Sequence, residues 1–358
     1  MAAAPAQAAA LTNGQPPLKL FIERIPMTLP KRHLLLSALS LALASLMPLT
    51  AQAQAQNLKW NMPTPYADGS FHTKNTRLFA DEIRQASGGR IDITVHANGA
   101  LFKMPEIKRA VQTGQVPIAE TNLPAYGNEF AFFDIDGILF LDRGYDAAER
   151  LWKISKPYLD KRLNAQGITI LYTVPFPGMG MLSKKAVTKL EDFKGMKHRS
   201  WGPAASRFAE LVGATPTVLQ ASELSQAFTM GIVDATLTSS TTGVATQAWE
   251  YAKYFIDFQA AHSKDTILIN TQVFKGLPAD LQNIILTAAT NAEKRGWEWS
   301  KREGDETKAR LVKEGMTIVV PDAKFQAELK KIGDVLAADW EKRAGPDGMA
   351  ALKEFRNK

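Results

Sequence analysis

Cysteine is absent from all 358 residues of this chain. That excludes disulfides, a thiol nucleophile and every metal site built on thiolates. It also leaves no attachment point for a lipid behind an export signal. Histidine is scarce: the five, at 33, 72, 96, 198 and 262, show no HxxxH spacing with which one helix face could grip zinc. There is no G-x-x-x-x-G-K-[ST] to cradle a phosphate and no G-x-S-x-G to present a serine. DIDG (134–137) begins like a calcium loop, but ILFLDRGY supplies no ligands at the later offsets, so a turn with one capping Asp is expected. Asp81-Glu82 and Asp305-Glu306 fall on helical patterns and read as solvated faces. No metal, cofactor or catalytic motif is expected.

Also missing is an apolar run of the roughly 20 residues that a bilayer-spanning helix needs. The run from Leu34 to Leu49 falls short of it. It follows Lys31 and Arg32 and precedes Ala51-Gln52-Ala53 and Ala53-Gln54-Ala55, the cationic, apolar and small-x-small parts of a cleavable export signal. Residues 27–55 are therefore expected to be a signal peptide, with Met27 a candidate start. Residues 1–26 are expected to be a disordered or non-native extension. The formal charge of +7 includes +3 before residue 56 (Lys19, Arg24, Lys31 and Arg32 against Glu23), which leaves +4. So mild an excess gives nucleic acid little to bind. An exported chain without disulfides must rely on its core, and the remaining length suffices for two lobes. The periplasm is the expected compartment, with the protein itself not embedded in the membrane.

What is present is a repeated α/β rhythm. LKWNMPTP (58–65) is an apolar strand ending in turn chemistry. TKNTRLFADEIRQASGG places Leu78, Phe79 and Ile83 on one helical side and stops at Gly88-Gly89. RIDITVHANG alternates Ile91, Ile93 and Val95 with strand period. A further helix ends at Gly114, with a strand at Val116–Ala119, and the order predicts a parallel sheet covered by helices. A second round starts near 167: ITILYTVP, then KHRSWG, a helix ending at Gly213, the strand TPTVLQ, and a helix from a candidate N-cap at Ser222 to Gly231 before a last strand. From Pro278 to Glu314 the pattern is one helix, with only Gly296 and Gly304 as weak breakers, long enough to cross both lobes.

KGMKHRSW (194–201) concentrates cations. Gly195 marks a turn, Lys197 and Arg199 share one side of the extended segment, and His198 faces the other. A surface basic run accounts for Lys194 and Lys197. Arg199, at the strand-to-loop junction, carries the rigid fork that pairs with a carboxylate through two parallel charge-assisted hydrogen bonds.

Residues 191–235, EDFKGMKHRSWGPAASRFAELVGATPTVLQASELSQAFTMGIVDA, combine a KGxKxR segment, a GAxP turn, an S-E dipeptide and a G-x-V-D helix end. Together with LKWNMPTP, ASGGRIDITVHANGAL and FKGLPADLQNIILTAA, this resembles the periplasmic solute-binding proteins of tripartite ATP-independent periplasmic (TRAP) transporters over nearly all of 57–320. The resemblance implies a type II-like periplasmic binding fold, two α/β lobes crossed by a long C-terminal helix. Lobe I would take 57–175 and about 264–303, and lobe II 176–263 and about 304–358. It implies that Arg199 pairs with the carboxylate of a small organic acid, delivered by a monomeric receptor to TRAP membrane subunits.

Other positions follow from the same resemblance. Glu120 matches a polar cleft position, with a surface Glu an equal alternative. Thr64 and Tyr66 lie in a cleft-lining loop, and Thr238, Ser239 and Ser240 stand where relatives place polar groups. Phe176 and Trp201 are aromatic at the mouth of the second lobe or else part of its core. Some sugar-acid-binding members carry a second Arg about twenty residues before the first; here that count reaches Met179. One cation against a wall of Phe176, Met179 and Trp201 favours a monocarboxylate with an apolar or aromatic body. The alternatives are a periplasmic enzyme for an acidic small molecule, with Glu120 its sole candidate base, and an ABC-transporter solute-binding protein.

Overall fold

The computed structural model describes residues 57–141 and 143–357; the expected signal peptide and extension lie outside the described residues. The first elements are β1 (Leu58–Pro63), α1 (Phe71–Ala86), β2 (Ile91–His96), α2 (Met104–Gln112) and β3 (Ile118–Asn122). The Ser70 side chain starts α1 by accepting from the Thr73 N–H at 3.1 Å, and Phe79, Ala80 and Ile83 form its buried stripe. Next come α3 (Tyr145–Ala165), β4 (Ile168–Pro175), β5 (Gly180–Ser183) and β6 (Lys197–Ser200). They are followed by α4 (Pro203–Leu211), β7 (Thr215–Val218), α5 (Leu224–Thr229), β8 (Ala235–Thr238), α6 (Ser240–Ala245) and β9 (Tyr254–Ile256). The chain closes with β10 (Lys264–Asn270), α7 (Thr271–Lys275), α8 (Ala279–Lys313), β11 (Thr317–Val319) and α9 (Ala323–Arg356).

The strands form two layers of different make-up. β1 and β2 pair in parallel, Trp60 opposite Ile93, and β1 runs beside β3. β3, however, pairs antiparallel with β10, which pairs antiparallel with β4 on its other side. The all-parallel sheet expected from element order is therefore a mixed one. All residues of β3 and β10 are buried, so their partners are set by non-local burial and not by the short-range alternation that marks β2. β4, expected to open the second round, belongs to this first layer. The second layer has the order β11-β9-β5-β8-β6-β7, with β6, β7 and β8 parallel and β5 antiparallel to both its neighbours. Ser222 does not cap α5: a short 3-10 turn precedes it, with Gln220 N–H bound to the Glu223 carboxylate at 2.7 Å.

The chain crosses between the layers at 176–179 and 257–263, and these crossings hydrogen-bond to each other. Phe176 N–H donates to Ser263 O at 2.8 Å, Met179 N–H to Ala261 O at 2.9 Å, and Ala260 N–H to Met179 O at 2.8 Å. A third connection is α8, whose 35 residues extend about 50 Å. It packs on α1 and β4 and then on α6 and β11. Its two glycines explain how so long a helix passes so closely. A Cβ on Gly296 would lie 2.4 Å from a Val174 methyl, and one on Gly304 3.2 Å from the Pro177 ring.

Candidate ligand-binding chamber

The layers meet around a small chamber, and the residues lining it come largely from strand ends. Arg199 and Trp201 stand at and just past the end of β6, Ala221 beyond β7, and Thr238 and Ser239 at the end of β8. From the first layer come Tyr66 beyond β1 and Asn122 at the end of β3. The carboxyl ends of parallel strands are where open α/β sheets receive ligands, because the chain must turn away there and leaves a crevice. Phe176, Met179 and Ser263 come from the crossings, Met104 from the start of α2 and Thr242 from α6. The chamber measures about 60 Å³, where one water needs roughly 10–15 Å³ on the same measure. Wider openings of about 210 and 310 Å³ flank it.

Among the described residues Arg199 is the only charged one that lines the chamber. It is 5 % exposed, and its Nε–H donates to Leu219 O at 2.9 Å. Among the described residues no carboxylate lies within 4.0 Å of it. Burial draws its pKa down to about 10, with Tyr66 and Glu223 pulling the other way, so it is charged at neutral pH. A buried guanidinium without a counter-ion is costly unless an anion completes it. Neighbouring cations do not share the work. Lys194 and Lys197 are exposed, and Lys197 Nζ donates to Gly231 O at 2.8 Å. Lys264, though buried, is 3.4 Å from Asp136, and Lys103 is exposed. His198 is fully buried, and burial followed by the Arg199 charge brings its pKa down to about 3.

The remaining wall is apolar or hydroxyl-bearing. Phe176 packs edge-on to Tyr66 with centroids 5.4 Å apart and lies 3.9 Å from the His72 ring. Trp201 is oriented by its Nε1–H, which donates to Leu237 O at 3.1 Å. Ser239 caps α6, bonding Thr241 Oγ1 at 2.7 Å.

Of the positions expected from sequence, Arg199, Tyr66, Phe176, Met179, Trp201, Thr238 and Ser239 line the chamber. Three others do not. Thr64 is buried in the turn, its N–H on His96 O at 2.9 Å and its hydroxyl accepting from the Tyr66 N–H at 3.2 Å. Ser240 faces α8, its hydroxyl 2.8 Å from that of Thr307. Glu120 is neither surface nor lining: it is 1 % exposed and accepts from the Thr76 hydroxyl at 3.0 Å. Met104, Asn122, Ala221, Thr242 and Ser263 line the chamber without having been expected to. Asn122 had a legible signal, two residues beyond Glu120 on the same strand face and nearer the strand's carboxyl end.

The family profile of the bacterial extracellular solute-binding proteins, family 7, matches residues 64–343, which takes in both layers and the chamber. The chain belongs to that family. It is similar to DctP6 of Bordetella pertussis, an extracytoplasmic solute receptor solved binding pyroglutamic acid, at 38 % identity and a TM-score of 0.82 over 84 % of this chain and 100 % of the other. DctP7 of the same organism, also solved with pyroglutamic acid, shows 40 % identity and a TM-score of 0.81 over 83 % and 99 %. The C4-dicarboxylate-binding periplasmic protein DctP of Rhodobacter capsulatus is 25 % identical over 89 % of this chain and 97 % of its own. The fold is thus that of the two-lobed TRAP solute receptors, the crossings and α8 joining the lobes. The family is one of extracytoplasmic receptors for small organic acids, not a family of enzymes. No helix among the described residues is long and apolar enough to cross a membrane.

Proposed function

We propose that this receptor binds a compact monocarboxylate of the pyroglutamate class, with Arg199 holding the carboxylate in the chamber. One observation carries the proposal: among the described residues the only charge on the chamber wall is a buried guanidinium without a counter-ion. An anion with one carboxylate neutralises it; a second carboxylate would meet Phe176, Met179 and Trp201 unpaired, at a cost of several kcal/mol. Thr238, Ser239, Asn122 and Ser263 can hydrogen-bond a carbonyl or N–H on the ligand body. The pyroglutamate named for two relatives of 38–40 % identity is a monocarboxylate of that kind.

In this reading lobe I is 57–175 with about 264–303 and lobe II is 176–263 with about 304–358, a division supported by the hydrogen-bonded crossings at 176–179 and 257–263. The receptor then works as an exported monomer, closes on its ligand and hands it unchanged to TRAP membrane subunits. Glu120 is poorly placed as a catalytic base, since its carboxylate accepts from Thr76 and does not line the chamber.

A thermal-shift panel of organic acids tests this. L-Pyroglutamate is expected to raise the melting temperature saturably and to be recovered chemically intact. No shift with any monocarboxylate, or conversion of the ligand to product, would overturn the proposal.

A further inference from the structure

Behind the chamber wall lies a pair of buried carboxyls that binding of the ligand's own carboxylate leaves unused. Glu120 and Asp265 are 1 % and 2 % exposed. The β3–β10 register sets Asp265 opposite Asn122 and Glu120 opposite Ile267, so the two acids are diagonal neighbours on one face of the sheet, within reach of each other's side chains. Asn122, on that same face, lines the chamber, as do Ser263, two residues before Asp265, and Tyr66, whose phenol is raised well above its usual pKa by burial and then by the Asp265 charge. The pair is thus one side chain removed from any ligand.

Among the described residues no Lys or Arg nitrogen lies within 4.0 Å of either carboxyl. Lys264, the next residue along β10, is directed to Asp136. From α8, Arg295 is engaged by Asn75 through Nε and by Glu82 through Nη1, its Nη2 being buried without a partner, and Glu293 accepts from the Thr173 N–H. His72 of α1 is held neutral by burial, which brings its pKa down to about 3. The Tyr172 phenol of β4 is uncharged, burial raising its pKa well above the usual value. Glu120 Oε2 and Asp265 Oδ1 are buried with no donor. Two carboxylates in contact away from water cannot both be ionised, so one proton is retained. Glu120 already accepts from Thr76 at 3.0 Å, while burial and then the Glu120 charge hold Asp265 well above the usual carboxylate range. The retained proton is thus shared by the pair, whose two oxygens without a donor, Glu120 Oε2 and Asp265 Oδ1, are its available sites.

We infer that Glu120 and Asp265 carry one proton and one negative charge between them, and that this charge bars a second carboxylate from the chamber. The inference rests on the proposed monocarboxylate function and adds its selectivity determinant. Arg199 attracts any carboxylate; the pair behind Tyr66 penalises the ligand that brings two.

Two measurements test it. The first needs no ligand: the infrared difference between the wild-type chain and Asp265→Asn at pH 8. A buried protonated-carboxyl band, lost in the variant, is expected, and its absence from the wild type overturns the shared proton. The second is titration calorimetry with L-pyroglutamate and glutarate as probes at pH 7. Asp265→Asn keeps the single charge on Glu120, so the ratio of the two dissociation constants should stay within twofold of wild type. Glu120→Gln/Asp265→Asn removes that charge and should narrow the ratio at least tenfold. An unchanged ratio in the double variant, or equal narrowing by Asp265→Asn alone, overturns the inference. Should neither probe bind the wild type, the proposed function fails, and the infrared band still decides the proton.

Discussion

Replacing Arg199 with alanine would leave a bound carboxylate in the chamber with no positive partner. The side chain is 5 % exposed, so the ligand's charge is largely desolvated when it arrives, and the loss is that of a buried charge pair broken on one side. Such truncations cost roughly 2–5 kcal/mol, or about 30- to 4,000-fold in Kd. Isothermal titration of L-pyroglutamate into wild type and Arg199→Ala reads this directly. The fold should tolerate the change: one hydrogen bond to Leu219 O is lost, but a buried guanidinium without a counter-ion is removed with it. Arg199→Lys keeps the charge and loses both the fork and the Nε–H on Leu219, so it should fall between wild type and Arg199→Ala. A Kd for Arg199→Ala within twofold of wild type would refute the reasoning.

Three further outcomes are expected. Closure of the lobes about the paired crossings should reduce the radius of gyration in small-angle scattering with saturating L-pyroglutamate, and an unchanged profile would count against closure. Gly296→Ala places a Cβ 2.4 Å from Val174, and the overpacking, typically about 1–3 kcal/mol, should outweigh the ~1 kcal/mol of helix propensity gained, so the melting temperature should drop. Asp134 is raised to about 7, by burial first and against the pull of Arg343. The folded chain thus keeps a proton there that the unfolded chain loses near pH 4, and this residue subtracts stability as pH rises from about 4 to 7. His72 and His198, held near 3 by burial, act with the opposite sign, adding stability as pH rises towards 6.5, so the comparison must be made by difference. Asp134→Asn should gain stability relative to wild type across pH 4–7, and a constant difference in denaturant melts would contradict it.

Local signals in the sequence carried the ends of several helices and turns, though not α3 or α9. Gly88, Gly114, Gly195, Gly213 and Gly231 all adopt positive φ where a helix or turn ends, a demand that a single residue expresses by itself. Pairing across the fold left no such mark. β3 and β10 are separated by some 140 residues, and their partnership reflects mutual burial. The chamber divides in the same way. Arg199, Tyr66 and Trp201 carry chemistry that makes them conspicuous in any segment. Met104, Ala221 and Ser263 become neighbours only through folding, and nothing in their own surroundings in the chain distinguishes them. Thr64 and Ser240 show the remaining difficulty: each lies within two residues of a lining residue, but its hydroxyl is taken up locally, by the Tyr66 N–H and by Thr307 of α8.

A crystal structure of the protein with L-pyroglutamate tests Arg199 as the carboxylate anchor most directly. The ligand carboxylate is expected to lie in the chamber with both oxygens about 2.7–2.9 Å from the terminal nitrogens of Arg199, its ring against Phe176, Met179 and Trp201. A carboxylate bound elsewhere, with Arg199 still unpaired, would contradict it.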